Sequence, residues 1–277
     1  MARGAKPPVL HPPFLREVRQ RGTEVSDRYP LNLPLFAEHP FRLRFNQPVT
    51  IIVGETGTGK STLLEAIAAD CGFHPESGDR GHQFATREPA TNTVNRHLVF
   101  SWRPRVGRGF FLRAESFFNM ARALDQMALD PDGQGDQVYA PYGGRSLRQV
   151  SHGESFMALF RNRFKGRGLY LLDEPDSALS PMQQLRFLGL LDQWRRAGEA
   201  QIIIATHAPV LMAYPHAQLL EITRAGVQPA EFDTLGHVQI TRRFLNDRAG
   251  MLGTLFAPPD PNERPGRDPE GWDEDGW

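Results

Sequence analysis

The sequence has little cysteine, little lysine, no excess of either charge and no long apolar run, and each shortage excludes something. A single cysteine, Cys71, among 277 residues rules out an internal disulfide and suits a reducing compartment. It closes an apolar helical stretch, so it reads as a small buried hydrophobe rather than a reactive thiol. No run of eighteen apolar residues exists, and the N-terminus lacks the apolar core of a signal peptide. The expected location is therefore cytoplasmic, without a membrane span. Lys and Arg number 32 against 32 Asp and Glu, so no global field recruits nucleic acid or a membrane surface. Only Lys6, Lys60 and Lys165 are lysines, which makes a lysine inside a motif informative. What remains, at 40% hydrophobic residues, is enough for one large α/β domain or two small ones.

The stretch that organises the chain is Gly54-Glu55-Thr56-Gly57-Thr58-Gly59-Lys60-Ser61. It matches G-x-x-x-x-G-K-[ST], the phosphate-binding loop, at every fixed position. Val49 to Val53 before it is a β-branched run suited to a buried parallel strand. Leu63, Leu64, Ile67 and Ala68 after it recur at helical spacing. Strand, glycine loop and helix thus follow in order. Glycines let the backbone turn its N–H groups inward, and the helix N-terminus adds partial positive charge beneath the phosphates. Lys60 would reach the β- and γ-phosphates of ATP, and Ser61 would hold Mg²⁺ through its hydroxyl.

Elsewhere the signals are weaker. Met1 to about Pro13 is proline-rich and basic, and residues 1–28 are expected to form a flexible arm. Phe41 to Phe45 alternates apolar and basic residues, as an edge strand with one wet face does. Tyr29, Phe36 and Phe41 are candidates either to stack on adenine or to pack the core. Residues 72–95 read as a surface excursion. His97 to Trp102 and Gly109 to Arg113 read as two strands of a hairpin carrying Arg96, Arg103, Arg105, Arg108 and Arg113 without one acid. Such a hairpin is either a solvated turn or a contact for nucleic-acid phosphates. A helix is expected from Phe117 to Leu129, then a turn-rich loop to Gly144.

Ser151-His152-Gly153-Glu154 precedes an apolar stripe of Phe156, Leu159, Phe160 and Phe164. The pattern is a capping box, or a second anion site in which a hydroxyl, a bare glycine amide and a helix dipole face one way. Leu169 to Leu172 is an apolar strand ending in Asp173 and Glu174. The first acid suits a hold on Mg²⁺ through water, and the second suits a base that polarises the attacking water. A helix from Pro181 to Arg196 follows, then the buried strand Gln201 to Thr206 with His207 at its carboxyl end. At a strand end facing a nucleotide crevice, that histidine suits a γ-phosphate contact.

Taken together, these motifs resemble the ATP-binding-cassette (ABC) type ATPases, and among them the small stand-alone bacterial ATPases grouped as the AAA family. The resemblance covers about residues 29–256. It implies a P-loop NTPase fold with a central, mainly parallel sheet flanked by helices, a β-rich N-terminal part and a helical subdomain near 115–165. Residues 257–277, proline-rich and mostly acidic, would be a disordered tail. Carried over by position, Gly54 to Ser61 with Thr62 is Walker A, Asp173 is the Walker B metal residue, Glu174 the catalytic glutamate and His207 the switch histidine. Ser177 to Ser180 resembles the D-loop, with Ser180 where the family has aspartate. The signature resembles Leu-Ser-Gly-Gly-Gln at Ser151 and Gly153, while Val150 and His152 replace the leucine and first glycine and Glu154 replaces the glutamine; Ser-x-Gly-Glu is nearer to chromosome-maintenance and recombination ATPases than to transporters. Glu115 stands where the Q-loop glutamine is expected.

The resemblance implies a Mg²⁺-dependent ATPase that forms an ATP-dependent homodimer, each nucleotide lying between Walker A of one copy and Ser151 to Gly153 of the other. The 36 residues from Glu115 through Val150 leave no room for long coiled-coil arms. The work done by such a switch is open: repair or defence with nucleic acid, service to an unidentified protein partner, or duty as the detached motor of a transporter.

Overall fold

A computed structural model describes residues 11–22, 29–37, 41–74, 77–79, 91–131 and 135–257. The chain divides into two compact units, residues 1–229 and residues 230–277. The first holds strands β1 (Leu15–Gln20), β2 (Arg42–Arg44), β3 (Val49–Val53), β4 (Leu98–Trp102), β5 (Gly109–Arg113), β6 (Gly168–Asp173), β7 (Ala200–Ala205), β8 (Gln218–Thr223) and β9 (Gly226–Pro229). Its helices are α1 (Pro34–Ala37), α2 (Lys60–Cys71), α3 (Thr91–Arg96), α4 (Phe117–Leu129), α5 (His152–Arg163), α6 (Pro181–Ala197) and α7 (Pro209–Met212). The second unit holds α8 (Gly236–Asn246) and α9 (Arg248–Leu255). The boundary between the two units falls at Pro229, within the 29–256 span expected for the ATPase domain.

Strand β3 lies inside a six-stranded sheet of order β5-β6-β7-β3-β8-β9. All its pairings are parallel except β8 with β9. β3, β6 and β7 are buried at every position, which is why they read as continuous apolar runs instead of alternating ones. Because β3, β6 and β7 run the same way, the residues after Val53, Leu172 and Ala205 share one edge of the sheet. That edge carries the site.

The N-terminal part is a three-stranded antiparallel sheet of order β2-β1-β4. Two expectations fail here. Residues 15–20 are strand β1 rather than part of a flexible arm, with Leu15 and Val18 fully buried. Residues 1–10 and 23–28 of that expected arm, and 258–277 of the expected tail, lie outside the described residues. Nor do β4 and β5 form a hairpin: β4 pairs with β1, and β5 pairs with β6 in the other sheet. Two of its arginines are already engaged, Arg105 with Asp70 and Arg113 with three acids.

The excursion of residues 72–95 is also partly internal. Phe73 is buried, Ser77 is fully buried, and Gly78 exchanges two backbone hydrogen bonds with Phe111. Phe36 and Phe41 meet edge to face at 5.7 Å within the core, which leaves Tyr29, 67% exposed, as the only free ring of the three aromatics considered for adenine. Cys71 is buried at the last position of α2.

α5 is held by aromatic packing. Phe117 lies 4.2 Å from Phe156, Phe160 lies 4.7 Å from Phe187, and Phe164 stacks on Tyr170 at 4.8 Å. These rings join α4, α5 and α6, and they bury the stripe that gave α5 its period.

Candidate active site

The loop after β3 has a shape that glycine permits. Gly54 and Gly59 sit at φ +145° and +105°, and a Cβ on Gly54 would lie 2.5 Å from the Ile222 carbonyl oxygen. A Cβ on Gly59 would lie 3.0 Å from Leu35 Cβ. Thr58 Oγ1 donates to the Glu55 carbonyl at 2.8 Å, closing the loop on itself. From Gly59 the chain enters α2, which ends with Gly72 in the left-handed conformation, its N–H on Ala68 and Ala69 carbonyls.

Lys60 is buried, and its Nζ donates to the carbonyls of Gly54 at 2.7 Å and Glu55 at 2.8 Å. Burial lowers its pKa, while Glu174 and Asp173 oppose that shift. The ammonium is thus folded over the loop whose amides would meet phosphate. Ser61 Oγ donates to Asp173 Oδ1 at 3.0 Å, a contact spanning 112 positions in sequence. Burial pushes the Asp173 carboxyl up to about 7, with Arg113 and Ser61 pulling it back. A hydroxyl beside a buried carboxylate is a hard-oxygen pair of the kind that Mg²⁺ takes. The donor set therefore fits the metal.

Glu174 follows Asp173 in the left-handed region at φ +49°, and its N–H donates to the Ala205 carbonyl at 2.9 Å. That turn brings Glu174 Oε1 within 3.7 Å of His207 Nε2. His207 is itself fixed from both sides: Thr206 N–H reaches the Ile52 carbonyl at 3.2 Å, and Ala208 N–H donates to Thr206 Oγ1 at 3.0 Å. Thr206 also donates to Asp176, whose pKa is raised by burial. The sequence reading passed over Asp176 and Thr206 because neither belongs to a phosphate motif.

Ser151 is both an N-cap and half of a capping box. Its Oγ accepts from Glu154 N–H at 3.4 Å, and Glu154 Oε2 accepts from Ser151 N–H at 3.1 Å. Gly153 lies against the amide of Gln183, where a Cβ would fall 2.2 Å from Oε1. That same oxygen accepts from Ser180 N–H at 3.0 Å and caps α6. Ser177 Oγ donates to the Glu174 carbonyl at 2.9 Å. The D-loop stretch is therefore linked to Glu174 at one end and to Gly153 at the other.

The structure gathers Lys60, Ser61, Asp173, Glu174 and His207 at one sheet edge. Ser151 and Glu154 are exposed, and they hydrogen-bond to each other rather than to the phosphate loop. Arg113 is the site residue that sequence reasoning misplaced. The usable signal was register, since Arg113 pairs with Asp173 across β5 and β6.

Known proteins point the same way. Two family models match, both described as an AAA domain, over residues 33–101 and residues 145–213; the second description also names an AbiEii toxin of a type IV system. The cytochrome c biogenesis ATP-binding export protein CcmA of Mesorhizobium japonicum is 30% identical over 180 residues, covering 58% of this chain and 78% of that protein. This chain belongs to the ABC-type P-loop ATPases. The thiamine import ATP-binding protein ThiQ of Vibrio parahaemolyticus is 29% identical over 172 residues, covering 57% of this chain and 69% of that protein. A solved structure, the SMC head domain of Thermotoga maritima, is similar at a TM-score of 0.44 and 18% identity, covering 79% of this chain and 99% of that one. A likeness that loose transfers neither function nor detail. As an ABC-type ATPase, the chain binds ATP and hydrolyses it to ADP and phosphate. Among the described residues no helix is long and apolar enough to cross a membrane.

Proposed function

We propose that this ATPase is a nucleotide-driven dimerisation switch, in which two copies meet head to tail around ATP. The observation that carries the reading is the division of anion-binding groups. The phosphate loop, Asp173, Glu174 and His207 share one sheet edge, whereas Ser151 to Glu154 opens a separate, exposed helix start that makes no hydrogen bond to them. A second copy supplies what one copy keeps apart.

In each site the loop amides from Gly54 to Gly59 and the ammonium of Lys60 hold the phosphates, with Ser61 and Thr62 at the mouth of α2. Ser61 and Asp173 would hold Mg²⁺, which neutralises charge on the phosphate oxygens. Glu174 takes the proton of the attacking water, and His207 contacts the γ-phosphate and steadies Glu174 from 3.7 Å. Ser151 and the Gly153 amide face the same phosphate from the other copy. Loss of the γ-phosphate removes the shared ligand, and the dimer opens.

The test is Glu174→Gln, whose amide cannot accept the proton. With Mg-ATP the variant should elute as a dimer in light-scattering chromatography, and without nucleotide as a monomer. A monomer at saturating Mg-ATP would refute the switch.

The names of the curated relatives favour a second reading, the soluble ATPase subunit of a transporter. Glu154 at the signature's last position and Glu115 in the glutamine's place oppose it. Under that reading, turnover should rise with a cognate membrane protein and stay low without one. Under the first, the isolated chain should cycle between monomer and dimer by itself.

A further inference from the structure

The contact between Glu174 and His207 does not hold itself. At 3.7 Å, Glu174 Oε1 and His207 Nε2 are beyond hydrogen-bond distance, so their separation is set by the turns that carry them. Glu174 opens the turn after β6, and His207 lies in the turn after β7. Two bonds tie those turns together. The Glu174 N–H donates to the Ala205 carbonyl at 2.9 Å, and the Thr206 hydroxyl donates to Asp176 Oδ1. Thr206 is fully buried, and its hydroxyl works in both directions, since Oγ1 also accepts from Ala208 N–H at 3.0 Å. Asp176 is itself fixed in a one-turn 3₁₀ helix, Pro175–Ala178, where its carbonyl accepts from Leu179 N–H at 3.0 Å. Asp176, Thr206, Ala205 and Glu174 thus close a frame with the base on one side and the histidine on the other.

We propose that Asp176 is a positioning residue for hydrolysis, acting through Thr206 to set His207 against Glu174. The inference rests on the roles already given to Glu174 and His207. An ionised carboxylate only accepts, so Asp176 takes the Thr206 proton and leaves a lone pair of Oγ1 turned to Ala208 N–H. Without that bond the hydroxyl loses its direction, and the backbone on both sides of His207 gains freedom. A misplacement of about 1 Å can cost about 100-fold in rate. Asp176 has one other influence: burial lowers the Lys60 pKa, and Asp176 is among the acids that oppose the shift. Substitutions at Thr206 leave that charge alone, so they isolate the hydrogen bond.

Turnover and ATP affinity of the full chain are measured well below melting for Thr206→Val, Thr206→Ser, Asp176→Ala and the Thr206→Val, Asp176→Ala double variant. kcat should fall by about tenfold or more in Thr206→Val and in Asp176→Ala. Thr206→Ser keeps the hydroxyl and should stay within about threefold of wild type. ATP affinity of Thr206→Val should stay within about twofold, and the double variant should be no slower than the slower single one, because both changes remove the same bond. In the nucleotide-free protein the ring NMR signals of His207, identified by their loss in His207→Ala, should shift or broaden in Thr206→Val and not in Thr206→Ser. A bond that serves stability alone would lower the melting temperature and leave the turnover of folded protein unchanged. A folded Thr206→Val with kcat within about twofold of wild type therefore overturns the proposal, as do losses that multiply in the double variant. Failure of both single variants, Thr206→Val and Asp176→Ala, to fold would make the bond structural and overturn it too. Wild-type turnover in His207→Ala would refute the role of the histidine itself. A slow His207→Ala beside a fast Thr206→Val refutes this inference alone.

Discussion

Lys60 shows why a single side chain can decide binding here. It is the one lysine in the loop, it is buried, and it is held by two carbonyls of the loop it would share with phosphate. Lys60→Ala should leave the fold intact, because the loop keeps its glycines and its Thr58 bond, yet it removes the loop's only side-chain cation. ATP affinity should fall by a factor of at least about 100, equivalent to roughly 3 kcal/mol for a lost charge-assisted contact. A titration with fluorescent ATP checks this, and near-wild-type affinity would show that the loop amides alone hold the phosphates. At this scale the sequence was legible wherever a residue belongs to a contiguous motif: Gly54 to Ser61, Asp173, Glu174 and His207 all lie at the shared edge. Arg113 was not. Its meaning comes from β5 lying beside β6, a pairing between strands more than fifty positions apart that no local pattern announces.

Among the elements, α5 carries two jobs at one end. Ser151 caps the helix, and the dimer reading also gives it a phosphate from a second copy. Two substitutions separate the jobs. Ser151→Ala loses the cap and should cost about 1 kcal/mol of stability, while leaving space at the helix start. Ser151→Arg loses the same cap and fills that space as well. Both should melt alike, within a few degrees. Only the arginine should block the Mg-ATP dimer of the Glu174→Gln protein, with nucleotide affinity unchanged. If both variants dimerise, the serine is a cap and nothing more. The helix itself was readable from its 3.6-residue stripe, because Phe156, Leu159 and Phe160 really do face a core. The β4–β5 hairpin was misread for the complementary reason. Two strands close in sequence suggest local pairing, yet here each completes a different sheet, β4 beside β1 and β5 beside β6.

Across the first unit as a whole, one buried glutamine joins the two sheets. Gln201 lies on β7, fully buried, and its Oε1 accepts from Phe14 N–H at 2.7 Å and Leu15 N–H at 2.8 Å. Its Nε2 donates to the Leu15 carbonyl at 2.9 Å. The side chain therefore satisfies three backbone groups where the chain enters β1. This is why β1 escaped a reading from sequence: a short segment after Pro12 and Pro13 looks like an arm until its partners, Gln201 and β4, arrive far later in the chain. Gln201→Leu keeps the volume and the strand but strands two donors and an acceptor in an apolar interior. An unsatisfied buried group costs about 1–3 kcal/mol, so the sum should reach roughly 3 kcal/mol or more. In a domain of this size that corresponds to a loss of about 6–12 °C in melting temperature. Hydrogen exchange locates the damage: amides of residues 14–20 should lose protection first, while those of β3, β6 and β7 keep theirs. ATP affinity at a temperature well below melting should stay within about twofold, because the glutamine sits at the start of β7 and the phosphate site at its far end. If β1 and β3 lose protection together, the N-terminal sheet is not an attachment to the nucleotide core but part of the same cooperative unit.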